Sequence, residues 1–353
     1  MLIFFKIIIK KTISFIPLKY NFFFDSIAIP LFYKKKLRSL KYSMFDLYSF
    51  GNKNPNKIFY VIKRSPGAGL FSNVIYVLNH ILIAKTHNFI PFVDMENFKT
   101  IYNEKKKINN SFNSWEYYFH KISKYSKEDI YNSKKVVISH NTFYKNFSHK
   151  IADNKIGKIA DELLKIKKEY IFSANTFASK FFGKKTLGIH YRGTSYKTSA
   201  NHPFPATKRQ IVNACYKLIK KYKYDKIFLC TEDKLIFDEL INKFNNKICF
   251  VKDSYRSYYD DAFRKYPRPN HRFRLGKEIL IESIILSKCD GFLYANSNVS
   301  EFVKYLDKKK SIKYFKLNNG NNSSNPYIAK WLWFYKNSFP KILFGFDNKI
   351  KLK

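Results

Sequence analysis

The chain is short of three things, and each shortage removes a class of protein. Acidic residues are scarce: 26 Asp and Glu stand against 66 Lys and Arg, a formal charge of +40 over 353 residues. A balance this basic points first to nucleic acid or an anionic membrane surface as partner. Cysteine is scarce too. Cys215, Cys230, Cys249 and Cys289 all fall in apolar segments and none forms a C-x-x-C pair, which excludes a disulfide scaffold or a structural zinc site and reads as buried thiols of a reducing compartment. Long uncharged apolar runs are missing altogether. The N-terminal segments MLIFFKIIIKKTISFIPL and FFFDSIAIPLFY are interrupted by Lys6, Lys10, Lys11 and Asp25, and neither reaches the roughly 18 apolar residues of a spanning helix. No small-residue cleavage site follows them. Residues 1–57 therefore read either as an interfacial anchor, apolar on one side and basic on the other, or as the first strand or helix of the fold. The histidines are dispersed, with only His80 and His87 at a helical repeat and no Cys or carboxylate beside them, so no metal site is expected.

What is present is a globular composition, 45% hydrophobic and 26% charged, on a chain long enough for two domains. Lys, Asn, Ile, Phe and Tyr are raised together, as an AT-rich coding sequence would raise them. The lysines are scattered rather than gathered into a stripe, and the aromatics lie on apolar strand and helix faces instead of forming a stacking platform. The charge thus reads as solvated composition, with no nucleic-acid partner expected. A basic nucleic-acid-binding protein remains the alternative from a different class.

From Ile58 the pattern becomes regular: an apolar strand to Ile62, the turn Arg64-Ser65-Pro66-Gly67-Ala68-Gly69, a helix to Thr86 with apolar residues three and four apart, and a strand from Phe89 to Val93. This is a βαβ unit. A polar, Asn- and Lys-rich stretch follows between Asn97 and Tyr131, then a strand Val136 to Ser139 and one helix from about Ile156 to Phe182. A second alternation places strands at Thr186 to Tyr191, Lys226 to Thr231, Lys247 to Lys252 and Gly291 to Ala295. Its helices run from Thr207 to Tyr222, Leu235 to Phe244, Arg274 to Cys289 and Val299 to Leu306, with a Trp-rich helix near the C-terminus. Alternation of this kind implies an α/β fold with parallel, doubly wound sheets. The expected domains are 1–57, a first lobe 58–184, a second lobe 185–320 divided from it at Gly183 to Lys185, and a C-terminal helix and tail 321–353.

Parallel sheets bind ligands at the carboxyl ends of their strands, and four such places carry suitable residues. At Gly67-Ala68-Gly69 the missing side chains would let backbone approach a ligand and the helix N-terminus receive a phosphate; a plain tight turn uses the same glycines. At His190-Tyr191-Arg192-Gly193-Thr194 a guanidinium fork can grip a diphosphate, against a merely exposed Arg. At Thr231-Glu232-Asp233 two carboxylates can accept from ribose hydroxyls or a base amino group, or simply cap a helix. Asn296-Ser297-Asn298 can likewise cap a helix or bind phosphate.

Taken in order, these features resemble the α1,6-fucosyltransferases, including the bacterial nodulation enzymes, and more distantly the protein O-fucosyltransferases. The likeness runs from about Phe59 to Leu306: Gly67-Ala68-Gly69 with Asn73 and Tyr76, Trp115-Glu116 with Phe119, His190 to Thr194, Thr231-Glu232-Asp233, and Glu282 with Cys289-Asp290 through Ser297. The resemblance implies two facing Rossmann-like lobes (GT-B-like), metal-independent inverting transfer, GDP-fucose as donor substrate and a glycan or glycoconjugate as acceptor. By it Arg192, beside His190 and Gly193, would hold the β-phosphate, Glu232 and Asp233 the guanosine, and Glu282 and Ser297, next to Asn298, the pocket beneath. Where the family continues Asp-Lys and later Glu, this chain has Ser195, Tyr196 and Ala200. The general base is left unassigned, with Glu116 and Glu282 as candidates. A transferase of another nucleotide sugar and a catalytically silent sugar-binding relative stay open. The expected location is the cytoplasm or the cytoplasmic face of a membrane, the secretory lumen remaining open.

Overall fold

The computed structural model describes residues 36–37, 45–139, 147–151, 154–348 and 350–352. The N-terminal anchor expected over residues 1–57 lies mostly outside the described residues. Among the described residues no helix is long and apolar enough to cross a membrane. The chain divides into two compact units, 1–167 and 168–353.

The first unit is built on a five-stranded sheet in the order β1-β2-β5-β3-β4, with β1 Lys36–Leu37, β2 Leu47–Tyr48, β3 Phe59–Ile62, β4 Ile90–Val93 and β5 Val136–Ile138. The three expected strands, β3 to β5, are parallel, whereas β2 pairs antiparallel with β5 and β1 with β2. All four residues of β3 are buried, as a central strand covered on both faces requires. Helix α1, Leu70–Thr86, makes the crossover from β3 to β4. The Asn-rich stretch after β4 is ordered core, not a solvated loop. Asn113 donates to the Val93 carbonyl at 2.7 Å and accepts from the backbone N–H of Met95 and of Trp115, and Asn103 donates to the carbonyls of Met95 and Phe112. Buried amide side chains thus supply the partners that a ladder would supply elsewhere, and Trp115, Tyr117, Tyr118 and Phe119 are buried. A short helix α2, Lys127–Ile130, follows.

The helix expected over 156–182 is two helices, α3 Asn154–Leu163 and α4 Lys168–Phe181. The break has a tertiary cause: Ile166 bridges to Phe119, the His120 N–H bonds to the Lys165 carbonyl and the Lys167 N–H to that of Tyr118. The boundary between units falls at this break, ahead of α4 rather than after it at Gly183 to Lys185. Helix α4 packs on helix α7, His271–Leu286, and its Phe177 meets Phe228 of the second sheet.

That second sheet has the order β11-β10-β9-β6-β7-β8. Strands β6 Thr186–Tyr191, β7 Lys226–Thr231, β8 Ile248–Cys249, β9 Gly291–Tyr294 and β10 Lys313–Asn318 run parallel, and β11 Lys351–Leu352 closes one edge antiparallel. Helices α5 Lys208–Tyr222, α6 Lys234–Phe244, α8 Asn298–Leu306 and α9 Pro326–Ser338 complete the unit. Their starts are written in the sequence: Thr207 with Gln210 and Ser297 with Ser300 form capping boxes, and Asp233 and Asn325 cap through their side chains. The sheets are therefore mixed at their edges and parallel at their centres.

Replacing Asn113 by Ala leaves the Val93 carbonyl and the Met95 and Trp115 N–H groups without their buried partner. The expected loss is at least about 2 kcal/mol of stability, read as a lowered urea midpoint.

Candidate functional site

In the second unit the chain leaves β6 in two directions. It winds through α5, β7, α6 and β8 to one side, then returns by α7 to β9, α8 and β10 on the other. Winding reverses between the neighbours β6 and β9, and the crevice outside the carboxyl ends of two such strands is where doubly wound sheets bind ligands. The residues leaving those ends are Arg192-Gly193-Thr194 and Ala295-Asn296-Ser297. Two of the four places singled out in the sequence therefore meet at one topological position. Thr231-Glu232-Asp233 leaves the adjacent strand β7.

Contacts tie these segments together. Glu232 Oε1 accepts from the Gly193 N–H at 3.0 Å and the Thr194 hydroxyl at 3.3 Å, and lies 3.8 Å from Arg192 Nε. Arg192 also donates to Ser195 Oγ at 3.3 Å, with its guanidinium over the Tyr196 ring. Asp233 is buried and occupied: one oxygen accepts from the Ile236 N–H as the cap of α6, and the other accepts from Lys197 Nζ at 2.7 Å. A Cβ on Gly193 would stand 2.2 Å from that second oxygen, so glycine is required there by the approach of a carboxylate. Ser297 spends its hydroxyl on the Ser300 N–H, and Asn298 opens α8 half-buried.

His190 sits at the same strand end. Leu187, Ile189 and Tyr191 share a core cluster with residues of α5 and α6, so Gly188 and His190 face the other side of the sheet, where a Cβ on Gly188 would strike Leu286 and Cys289. The His190 ring is buried and its Nδ1 has no hydrogen-bond partner among the described residues. Burial, reinforced by Arg192, lowers its pKa to about 3, and the imidazole is neutral at ordinary pH.

Glu282, proposed from the sequence as a pocket residue or base, lies in a closed buried cluster. It accepts from Ser254 Oγ at 2.7 Å and from the Cys230 thiol at 3.4 Å, with Arg256 4.0 Å away. Arg256 donates to the carbonyls of Ser254 and Val251 and stacks on Phe237. Burial outweighs the guanidinium and pushes the Glu282 carboxyl up to about 7. Lys197 and Arg256, which sequence reasoning passed over, thus hold two of the four acids it named for the site, Asp233 and Glu282. Each pairs with a carboxylate far away in the chain, and no local pattern marks either.

The remaining candidates belong to the first unit. Gly67 has φ +74°, and Asn73 closes its turn, accepting from the Ala68 N–H and Arg64 Nε and donating to the Ala68 carbonyl. Asn73 is buried in this role. Gly69 starts α1 with open space where a side chain would stand, and the Leu70 N–H is taken by Tyr102 Oη. Glu116 accepts from Ser111 Oγ at 2.9 Å. Among the described residues no group of three or more His, Cys, Asp or Glu is disposed to hold a metal ion.

No protein-family model matches the sequence, and no curated protein sequence matches it. Among solved structures the chain is similar to NodZ α1,6-fucosyltransferase co-crystallised with GDP, at 14% identity and a TM-score of 0.48 over 75% of this chain and 96% of that one. Fucosyltransferase NodZ from Bradyrhizobium gives 13% identity and 0.48 over 74% and 96%. POFUT1 in complex with GDP-fucose gives 12% and 0.41 over 74% and 99%. At TM-scores and identities of this order the chemistry has to be read from the side chains themselves.

The Glu282 cluster makes a prediction about pH. The folded chain keeps this proton up to about pH 7, whereas the unfolded chain releases it near 4.5. The native state binds more protons in between, so this group's contribution to stability declines as pH rises through that window. Urea midpoints measured across it should fall less steeply in Glu282→Gln than in the parent; parallel slopes would remove the assignment.

Proposed function

We propose that the chain is a glycosyltransferase that holds a nucleotide sugar, GDP-fucose by the order of its motifs, at the crevice between β6 and β9 and passes the sugar to a glycan acceptor. The observation that carries this reading is the reversal of winding between these two strands. There Arg192, the start of α8 and a buried His190 nitrogen without a partner lie at adjacent strand ends. A buried unpartnered nitrogen costs stability unless a ligand completes it. The N-terminus of helix α8 carries the positive end of the helix dipole, which favours an anion. Arg192 supplies a fixed charge and a planar fork suited to phosphate.

In the reaction so envisaged, the acceptor hydroxyl oxygen bonds to the anomeric carbon while the bond from that carbon to the β-phosphate oxygen breaks, and the departing diphosphate takes up the electron pair. Arg192 and α8 stabilise that charge more strongly as it grows, which is the condition for a rate effect. Gly193 lets the Arg192 loop close on the Asp233 carboxylate, and Glu232 fixes the loop from the side by accepting from its backbone. Partly exposed Glu232 has capacity left for a hydroxyl of the nucleoside. Asp233 does not, since the cap and Lys197 take its oxygens, and its part is to hold the loop. The hydroxyl proton leaves to a base that this strand edge does not itself supply.

Arg192→Ala should lower turnover with GDP-fucose by at least about a hundredfold, the scale of removing one donor to a developing anion, with Arg192→Lys recovering little. Activity should survive EDTA, because the positive charge at the leaving group is a side chain. Calorimetric titration should show GDP bound more tightly than UDP, and His190→Phe, which keeps the volume and loses the nitrogen, should weaken GDP at least about tenfold. A folded Arg192→Ala enzyme of parental rate would move the site elsewhere.

A further inference from the structure

The C-terminal part of the second unit presents an apolar surface that the proposed chemistry does not use. Helix α9 turns one face inward: Ala329 and Trp333 are buried, and Trp333 Nε1 donates to the Pro205 carbonyl at 3.1 Å. After the helix the chain folds back on it. The Phe346 N–H bonds to the Lys336 carbonyl at 2.8 Å, Lys336 Nζ to the Phe344 carbonyl, and Tyr335 Oη to that of Leu343. The result is a helix and returning turn that form one pinned element.

Large aromatic and aliphatic side chains of this element are exposed. Tyr327 is 79% exposed, Trp331 74%, Ile342 88% and Phe344 79%. Side chains of this size are rarely left so open on a surface with nothing to meet. The charge is one-sided as well: residues 326–346 contain Lys330, Lys336 and Lys341 and no acid. Lys341 is paired with Asp347 just beyond, and Lys330 stands over the Tyr327 ring. Aromatic rings and an aliphatic tip flanked by Lys330 and Lys336, with the one acid Asp347 taken by Lys341, make up the composition that sits in the headgroup region of an anionic bilayer. A water-facing protein surface would instead mix charges of both signs. The charge of +40 on the whole chain adds a long-range attraction of the same sign.

We infer that α9 and the turn after it form a membrane-surface contact, with Trp331, Ile342 and Phe344 entering the headgroup layer of an anionic lipid bilayer. Trp331, Ile342 and Phe344 are not among the residues of the strand-end crevice, and the contact does not depend on the identity of the crevice's ligand. It would hold the transferase beside acceptors carried on or made at a membrane.

The tryptophans make the test specific, because Trp115 and Trp333 are buried and Trp331 is the exposed one. With full-length protein and vesicles of phosphatidylcholine containing phosphatidylglycerol, emission should shift to the blue and be quenched by bromine placed on the lipid chains. Neither change should appear with phosphatidylcholine alone, and Trp331→Phe should lose the signal while still sedimenting with the anionic vesicles. Ile342→Ser with Phe344→Ser should weaken partitioning at least about tenfold, with an unchanged melting temperature as the folding control. If vesicles bind the full chain while Trp331 emission stays unshifted, another segment makes the contact and the inference fails. It fails equally if Trp331 is already shielded from iodide without lipid, which would point to a second copy or the chain's own N-terminal segment as the cover.

Discussion

The buried carboxylate of Asp233 is the constraint on which the carboxyl ends of β6 and β7 depend. It caps α6 through the Ile236 N–H, receives the Lys197 ammonium, and stands where any side chain on Gly193 would have to go. Two segments distant in sequence, 193–197 and 233–236, are therefore fixed by one group. Lys197 extends the chain of dependence, since its ammonium also lies over the ring of Trp333, which anchors α9. A buried ion pair is weak evidence of net stability, but removing one member strands the other. Its value here is geometric. The loop carrying Arg192 is held at the strand end by Asp233 beneath and by Glu232, which binds its backbone N–H, at the side.

The same use of side chains in place of regular structure recurs through the molecule. The sequence contains only 11 glycines, and the left-handed backbone positions that glycine usually takes fall largely to asparagine. Of the non-glycine residues with positive φ among the described residues, Asn54, Asn88, Asn109, Asn110, Asn201, Asn245 and Asn270 outnumber Lys223, Lys310 and Phe344. Asparagine is the side chain that tolerates this conformation best after glycine, because its amide bonds locally. Asn73, Asn103 and Asn113 act instead as buried partners for backbone groups. The asparagine content that reads as compositional drift thus has definite structural employment.

This bears on what could be read from the chain in advance. Strands β6 and β7 were legible to the residue, because β6 sets Leu187, Ile189 and Tyr191 at alternate positions and β7 carries the run Ile227 to Cys230, each followed by polar residues, and so the strand ends where Arg192 and Glu232 sit were legible as well. The short antiparallel strands β1, β2 and β11 were not, since two-residue strands carry no period. Strand β10 alternates, with Phe315 and Leu317 inward between lysines, and that signal was there to be found. The helix expected through residues 164–167 failed because Tyr118 and His120 claim that backbone, a contact that propensity cannot see. Asp233 was legible as an acid at a strand tip. That its second oxygen is committed as well as the capping one was not, since Lys197 is recognisable as its partner only in three dimensions.

The shortage of acids sharpens what remains. Carboxylates in the second unit are drawn into holding backbone: Asp225 accepts from the Lys184 and Lys185 N–H groups, Asp290 from that of Thr186, and Asp307 from those of Ser311 and Ile312. Glu282 is enclosed with Arg256 and holds its proton at mildly acid pH. At the ends of β6 and β7 the acid still reached by water is Glu232, at 3.8 Å from Arg192 with both side chains partly exposed. A pair so long and so wet contributes little by itself. A diphosphate carries more charge than Glu232 and offers oxygens that the fork can engage in parallel. It would compete for the guanidinium on favourable terms, leaving Glu232 to its hydrogen bonds with Gly193 and Thr194. The contact between Arg192 and Glu232 is thus weak, while the backbone that positions Arg192 stays where Glu232 and Asp233 hold it.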